Sequence, residues 1–243
     1  VSGAAEAPVF DPVMRTPLHR QHVKRGATFA RDGAWEYAAT YAGDADVEGR
    51  RAMAHGVGIV DVSARGKIDL RGAIGGLFSR IARTSEGWGP GRIVAIEPAP
   101  SEAHPGLIAP ISDVWAILFC PPDSVATRLD EMEAPVAEGR TMITEVSSQY
   151  SGFALAGPRT FELLSLVTGF DLDALEPGAA VATRLLDITG ILLHRRLDGD
   201  RTAVEAWVSS SYARYAWESL LSIGARHGGA PAGRDALAEL GWW

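Results

Sequence analysis

Cysteine is nearly absent: Cys120 is the only one in 243 residues. No intramolecular disulfide can form, which suits a reducing compartment. No apolar run approaches the ~20 residues that a membrane-spanning helix needs. Val1 to Pro8 lack both a basic and an apolar region, so no secretory signal is expected, and the chain reads as cytoplasmic. Basic runs are missing as well, and the net charge is -7. This argues against nucleic acid or an anionic membrane as partner. The six histidines are scattered, none at ligand spacing from another His or Cys, so no metal is expected. The nucleophile-elbow, phosphate-loop and dinucleotide glycine motifs are missing too.

What is present is a globular composition, with 47% hydrophobic and 22% charged residues. The length allows one large domain or two to three small ones. Residues 1–14 read as a flexible arm. Asp46 to Gly56 has helical composition and stops at a glycine, and 57–63 is a short strand. Lys67 to Gly72 alternates as a half-buried strand should, before a helix over Ala73 to Ile81. Ser151 to Pro158 repeats the pattern: a strand, a Gly-Pro turn, then a helix over Arg159 to Val167. Strands follow near 180–186, 190–195 and 203–208. A helix over Ser210 to Ile223 could gather Tyr212, Tyr215, Ala216 and Leu220 on one face. Strands, helices and hairpins in this mixture predict an α+β fold with ferredoxin-like elements. Cys120 closes the apolar run Ala116-Ile117-Leu118-Phe119, so burial is expected rather than thiolate chemistry.

The order of words along 16–63 carries more. Thr16-Pro17-Leu18, His22, Gly26, Gly33-Ala34-Trp35-Glu36 and Tyr41 lead to Arg50-Arg51-Ala52 and Gly58-Ile59-Val60-Asp61-Val62-Ser63. This resembles the aminomethyltransferase (T-protein) family of the glycine cleavage system and its folate-binding relatives. The resemblance implies a two-subdomain fold: residues 1–63 plus 148–243 as a discontinuous folate-binding domain, with 64–147 inserted as a second. The further C-terminal barrel domain of the family is expected to be absent here. The resemblance also implies tetrahydrofolate as cofactor, a small-molecule one-carbon donor, and transfer or demethylation chemistry.

Site residues follow from the same resemblance. Glu205, in Val204-Glu205-Ala206-Trp207-Val208, falls on the family glutamate that grips the pterin. A carboxylate can accept two adjacent N–H bonds there. Arg234, in Gly233-Arg234-Asp235-Ala236-Leu237, matches the first Arg of A-R-D-x-L and could touch the pterin or brace the glutamate. Arg65 stands where the family has a pocket-lining Met; it could pair with a glutamate tail or close the slot. For the family's catalytic acid in I-I-D-D-L two registers compete. One places Ala109 and Pro110 there and leaves no acid, whereas the other, shifted, keeps Asp113. Read as plain turn chemistry, Asp113 is a hairpin residue. Trp242-Trp243 could pack on the body or mark an interface.

A second resemblance is to the gamma subunit of heterotetrameric sarcosine oxidase. It rests on Asp113 to Leu118 with Pro121-Pro122-Asp123, and on Val204 to Trp207 with Ser209 to Ala213. It implies a non-catalytic chain that works with a partner subunit.

Overall fold

A computed structural model describes residues 11–81, 89–96, 98, 105–136, 141–199 and 201–242. Most of the arm, and Trp243, lie outside the described residues. The arm's end is not loose: β1 (Met14–Arg15) pairs in parallel with Trp35 and Glu36. After α1 (His19–Lys24) comes a hairpin, β2 (Ala27–Asp32) and β3 (Trp35–Tyr41), turning at Gly33 with φ 56°. Asp32-Gly33 between alternating runs is the sequence signal for this turn, and the sequence analysis missed it.

The chain continues through α2 (Asp44–His55), β4 (Val57–Asp61), β5 (Gly66–Gly72) and α3 (Ile74–Ile81). Then follow β6 (Val94–Ile96), β7 (Gly106–Ser112), β8 (Trp115–Cys120), α4 (Val125–Val136) and β9 (Thr141–Glu145). The last stretch holds β10 (Tyr150–Ala156), α5 (Thr160–Leu164), β11 (Ala180–Leu185), β12 (Ile188–Arg196) and β13 (Thr202–Ser209). It ends with α6 (Ala213–Gly224), β14 (Gly229–Pro231) and α7 (Arg234–Ala238).

Two larger sheets result. One has the order β11-β12-β13-β10-β4-β14, antiparallel except where β14 runs along β4. The other, β6-β7-β8-β5-β9, is antiparallel and drawn wholly from residues 66–145. Side-chain alternation sorts their faces. One face of the first sheet, with Ile59, Phe153, Leu155, Leu192 and Val204, meets Leu163 of α5 and Trp217 and Leu220 of α6. One face of the second, with Ile68, Leu70, Ile108 and Leu118, meets α3 and Met132 of α4. The remaining faces share a third core: Val60, Ala154, Leu193 and Trp207 against Leu107, Ala109, Ile117 and Phe119. The layering is therefore helices, sheet, sheet, helices, and the fold is α+β.

Three expectations need correction. The helix after Pro158 stops at Leu164, because the chain turns through two tight backbone bonds, Leu166 N–H to Leu163 O and Val167 N–H to Leu164 O, and buries Val167. In α6 the buried face is Ala213, Ala216, Trp217 and Leu220, whereas Tyr212 and Tyr215 stay about half exposed. The flexible-arm reading fails at residue 14, which is already in β1. Cys120 is fully buried, as expected.

Candidate functional site

Glu205 lies in the layer between the two sheets. On β13, Ala203, Glu205 and Trp207 point to that layer while Val204, Ala206 and Val208 point to the helices. The sequence thus drives a carboxylate into an apolar face, and its exposure is 0%. A charge there must be fully bonded. Arg195 stands diagonally across the β12–β13 ladder and donates from Nη1 to Oε1 at 2.8 Å. The Trp242 indole N–H donates to the same oxygen at 2.7 Å, and the Trp207 N–H to Oε2 at 3.0 Å. Arg65 Nη1 is 3.5 Å from Oε1. Burial pushes the Glu205 carboxyl up, but Arg195, Arg65 and the two indoles outweigh it and hold it below its ordinary value. It is an ionised acceptor with an N–H donor on each oxygen.

Arg65 follows β4 in the short link to β5 and is 4% exposed. Its guanidinium lies over the rings of Phe119, at 5.5 Å, and Trp242, at 5.4 Å. Burial, with Arg195 and Arg234 nearby, lowers its pKa to about 10 against the opposing pull of Glu205. Arg234, the first residue of α7, bonds Asp32 at 2.7 Å and lies over Tyr37, at 4.3 Å, and Trp242, at 5.4 Å. It therefore braces the β2–β3 hairpin, and it reaches Glu205 only through the Trp242 ring. Trp242, 1% exposed, has one guanidinium 5.4 Å from its ring in Arg65 and another in Arg234. Trp207 needs space as well: a Cβ on Gly152, its partner on β10, would sit 2.5 Å from the ring.

Asp113 is elsewhere. It occupies the exposed two-residue turn between β7 and β8. Six residues separate it from Phe119, about 20 Å along an extended strand. Ala109 is on the inter-sheet face with Trp207 and is fully buried, and it brings no ionisable group.

The signature at 16–63 forms a second buried cluster, not foreseen as a unit. Asp61 accepts at Oδ2 from the Thr16 hydroxyl, at 2.8 Å, and from His22 Nε2, at 2.9 Å, and at Oδ1 from the Ser63 N–H at 2.9 Å. An ionised Asp61 only accepts, so Nε2 carries the proton. Nδ1 is hydrogen-bonded to the Tyr41 hydroxyl at 2.8 Å. Burial raises the Asp61 carboxyl, but the bonds from His22 and Ser63 bring it below the ordinary range. The widely spaced motif letters thus bring Thr16, just after β1, and His22 of α1 to the Asp61 carboxylate on β4, with Tyr41 of β3 joined through His22.

Lys67 was also missed. It is fully buried and donates to the carbonyls of Ser63, at 2.7 Å, and Arg65, at 2.9 Å, with Trp207 and Trp35 rings 5.1 and 5.9 Å away. Burial, then Arg65, lowers its pKa to about 7. The folded state thus resists protonation that the unfolded chain accepts up to about 10.4. Stability should rise as pH climbs from about 7 towards 10, because the unfolded state binds more protons there. Urea midpoints over this range should rise for the native chain, with a clearly smaller rise in Lys67→Met; equal slopes would refute the assignment.

Among the described residues no cluster of three or more metal-ligating side chains occurs, and no helix is long and apolar enough to cross a membrane.

No protein-family model matches the chain. It is 25% identical over 231 residues to an aminomethyltransferase of Saccharopolyspora erythraea, a match spanning 92% of this chain and 62% of that protein. The chain thus spans about three fifths of the length of this curated relative. Among solved structures, the glycine cleavage aminomethyltransferase T of Bartonella henselae superposes with TM-score 0.76 at 18% identity, over 94% of this chain and 62% of that one. A chain of the heterotetrameric sarcosine oxidase of Corynebacterium sp. U-96 superposes with TM-score 0.63 at 15% identity, over 89% of this chain and 97% of that one. The fold is that of the aminomethyltransferases, and the chain resembles them over nearly all of its own length.

Proposed function

We propose that the chain is a non-catalytic subunit of a folate-linked one-carbon complex, using the aminomethyltransferase fold for assembly and ligand control rather than for transfer. The engagement of both Glu205 oxygens supports this most. A pterin edge needs both carboxylate oxygens facing open space, and here each oxygen already faces an indole N–H. In this arrangement the indoles of Trp207 and Trp242 occupy the carboxylate edge that tetrahydrofolate would need. The candidate acid Asp113 sits in the exposed β7–β8 turn and Ala109 faces the layer instead, whereas general acid catalysis needs an acid within hydrogen-bond reach. The likeness to almost the full length of a sarcosine oxidase chain favours a protein that works beside a partner.

The second reading is a catalytic aminomethyl- or methyltransferase acting on tetrahydrofolate and a small one-carbon donor. Its support is Glu205 at the family position and the likeness to named aminomethyltransferases. Turnover separates the two. The purified chain with tetrahydrofolate and an aminomethyl donor should give none, and Asp113→Asn should change neither stability nor any activity of a reconstituted complex. Turnover by the chain alone, lost in Asp113→Asn, would establish the second reading.

A further inference from the structure

Arg65 Nη1 is buried and, beyond its 3.5 Å ion pair with Glu205 Oε1, has no hydrogen-bond acceptor among the described residues. A guanidinium is rarely left so, because a buried unsatisfied donor forfeits its hydration. The orphan points to a missing oxygen beside Glu205. Trp242 supplies the carboxylate with an aromatic N–H, but an indole has no acceptor to give Arg65.

We propose that Trp242 is a displaceable latch, an intramolecular stand-in for a flat heteroaromatic lactam that would donate N–H to Glu205 and offer C=O to Arg65. The inference rests on the reading that Glu205 faces a ligand site. Three further observations support it. The Trp242 ring has guanidiniums on Arg65 and Arg234 beside it, as a π-system between cations would. The segment that carries it leaves α7 through two tight backbone bonds, Leu240 N–H to Leu237 O at 3.0 Å and Gly241 N–H to Ala238 O at 2.9 Å, and is tied to the β12–β13 link by Asp198 N–H to Leu240 O at 3.0 Å. Between that bond and Trp242 stands Gly241 at φ 81°, where a Cβ would meet the Asp198 carboxyl at 2.3 Å. The pivot is thus a residue free of side-chain restraint. When the latch leaves, the ring space opens while Glu205, Arg195, Arg65 and Trp207 remain on strands and their links.

Calorimetry with 5-formyltetrahydrofolate tests this on the native chain, Trp242→Ala and Trp242→Phe. A site open 1% of the time shows affinity reduced about 100-fold. Trp242→Ala should therefore bind at least about tenfold tighter than the native chain. Trp242→Phe, which keeps the packing and loses the N–H, should fall between, and it carries the test if the alanine variant does not fold. p-Aminobenzoylglutamate, lacking the lactam, should gain nothing. Equal affinities in folded native and variant chains, detectable or not, would overturn the latch. Equal tight binding would do so while leaving a folate-linked role intact. Turnover abolished by Asp113→Asn would instead remove the non-catalytic reading and leave the latch to its own titration.

Discussion

Replacing Glu205 by alanine is expected to lower the stability of the folded chain by about 3–5 kcal/mol, the loss found when one member of a buried ion pair is removed. The variant removes the carboxylate that faces Arg195 and Arg65 and takes the acceptor away from two indole N–H groups in an apolar layer. Typical domains hold only about 5–15 kcal/mol in total, so the variant should be near the edge of folding. Urea denaturation measures it. Adding Arg195→Met to Glu205→Leu should recover part of the loss, because it removes one of the two buried guanidiniums that face the lost carboxylate. A change below about 1 kcal/mol would mean that Glu205 is solvated, as an exposed ion pair is worth no more.

Asp61→Ala should remove about 2–4 kcal/mol, since three buried donors lose their acceptor and each unsatisfied group costs about 1–3 kcal/mol before relaxation. Those donors are the Thr16 hydroxyl, His22 Nε2 and the Ser63 N–H. The acid limb of the stability curve follows with a defined sign. Asp61 and Glu205 both titrate below their ordinary values when folded. Their stabilisation is present in full above the unfolded carboxyl values of about 3.9–4.3 and disappears as pH falls through the lower folded values. The native chain should therefore lose stability below about pH 4, and Asp61→Ala should lose less over the same drop. An acid limb unchanged in Asp61→Ala would assign that limb to other groups.

Much of the architecture was legible because alternation and glycine punctuation are local signals. Lys67 to Gly72 alternates, Gly-Pro follows Ala156, and the structure has strands at both places. The hairpin at 27–41 was equally readable at Asp32-Gly33 and was passed over. Glu205 and Arg65 were singled out from motif register, but their pairing could not be read. Arg195 is ten residues from Glu205, and Trp242 is 37 residues away, joined to it only by folding. Arg234 was expected beside Glu205 and instead holds Asp32, because α7 starts against the β2–β3 hairpin. The signature at 16–63 was read as a mark of kinship; its physical content, Thr16, His22 and Tyr41 gathered around the Asp61 carboxylate, needed three dimensions. Lys67 looked like the polar half of an alternating strand, yet it faces the layer between two sheets. Single-strand periodicity does not reveal a second sheet packed over the first.

Titration of tetrahydrofolate into the unmodified chain, followed by calorimetry, tests the central claim most directly. The claim is that Glu205 is committed to Arg195, Trp207 and Trp242 in the ground state. It predicts at most weak binding, strengthened when Trp242 is removed. Tight binding with Trp242 in place, weakened by Glu205→Gln in a variant that remains folded, would contradict it.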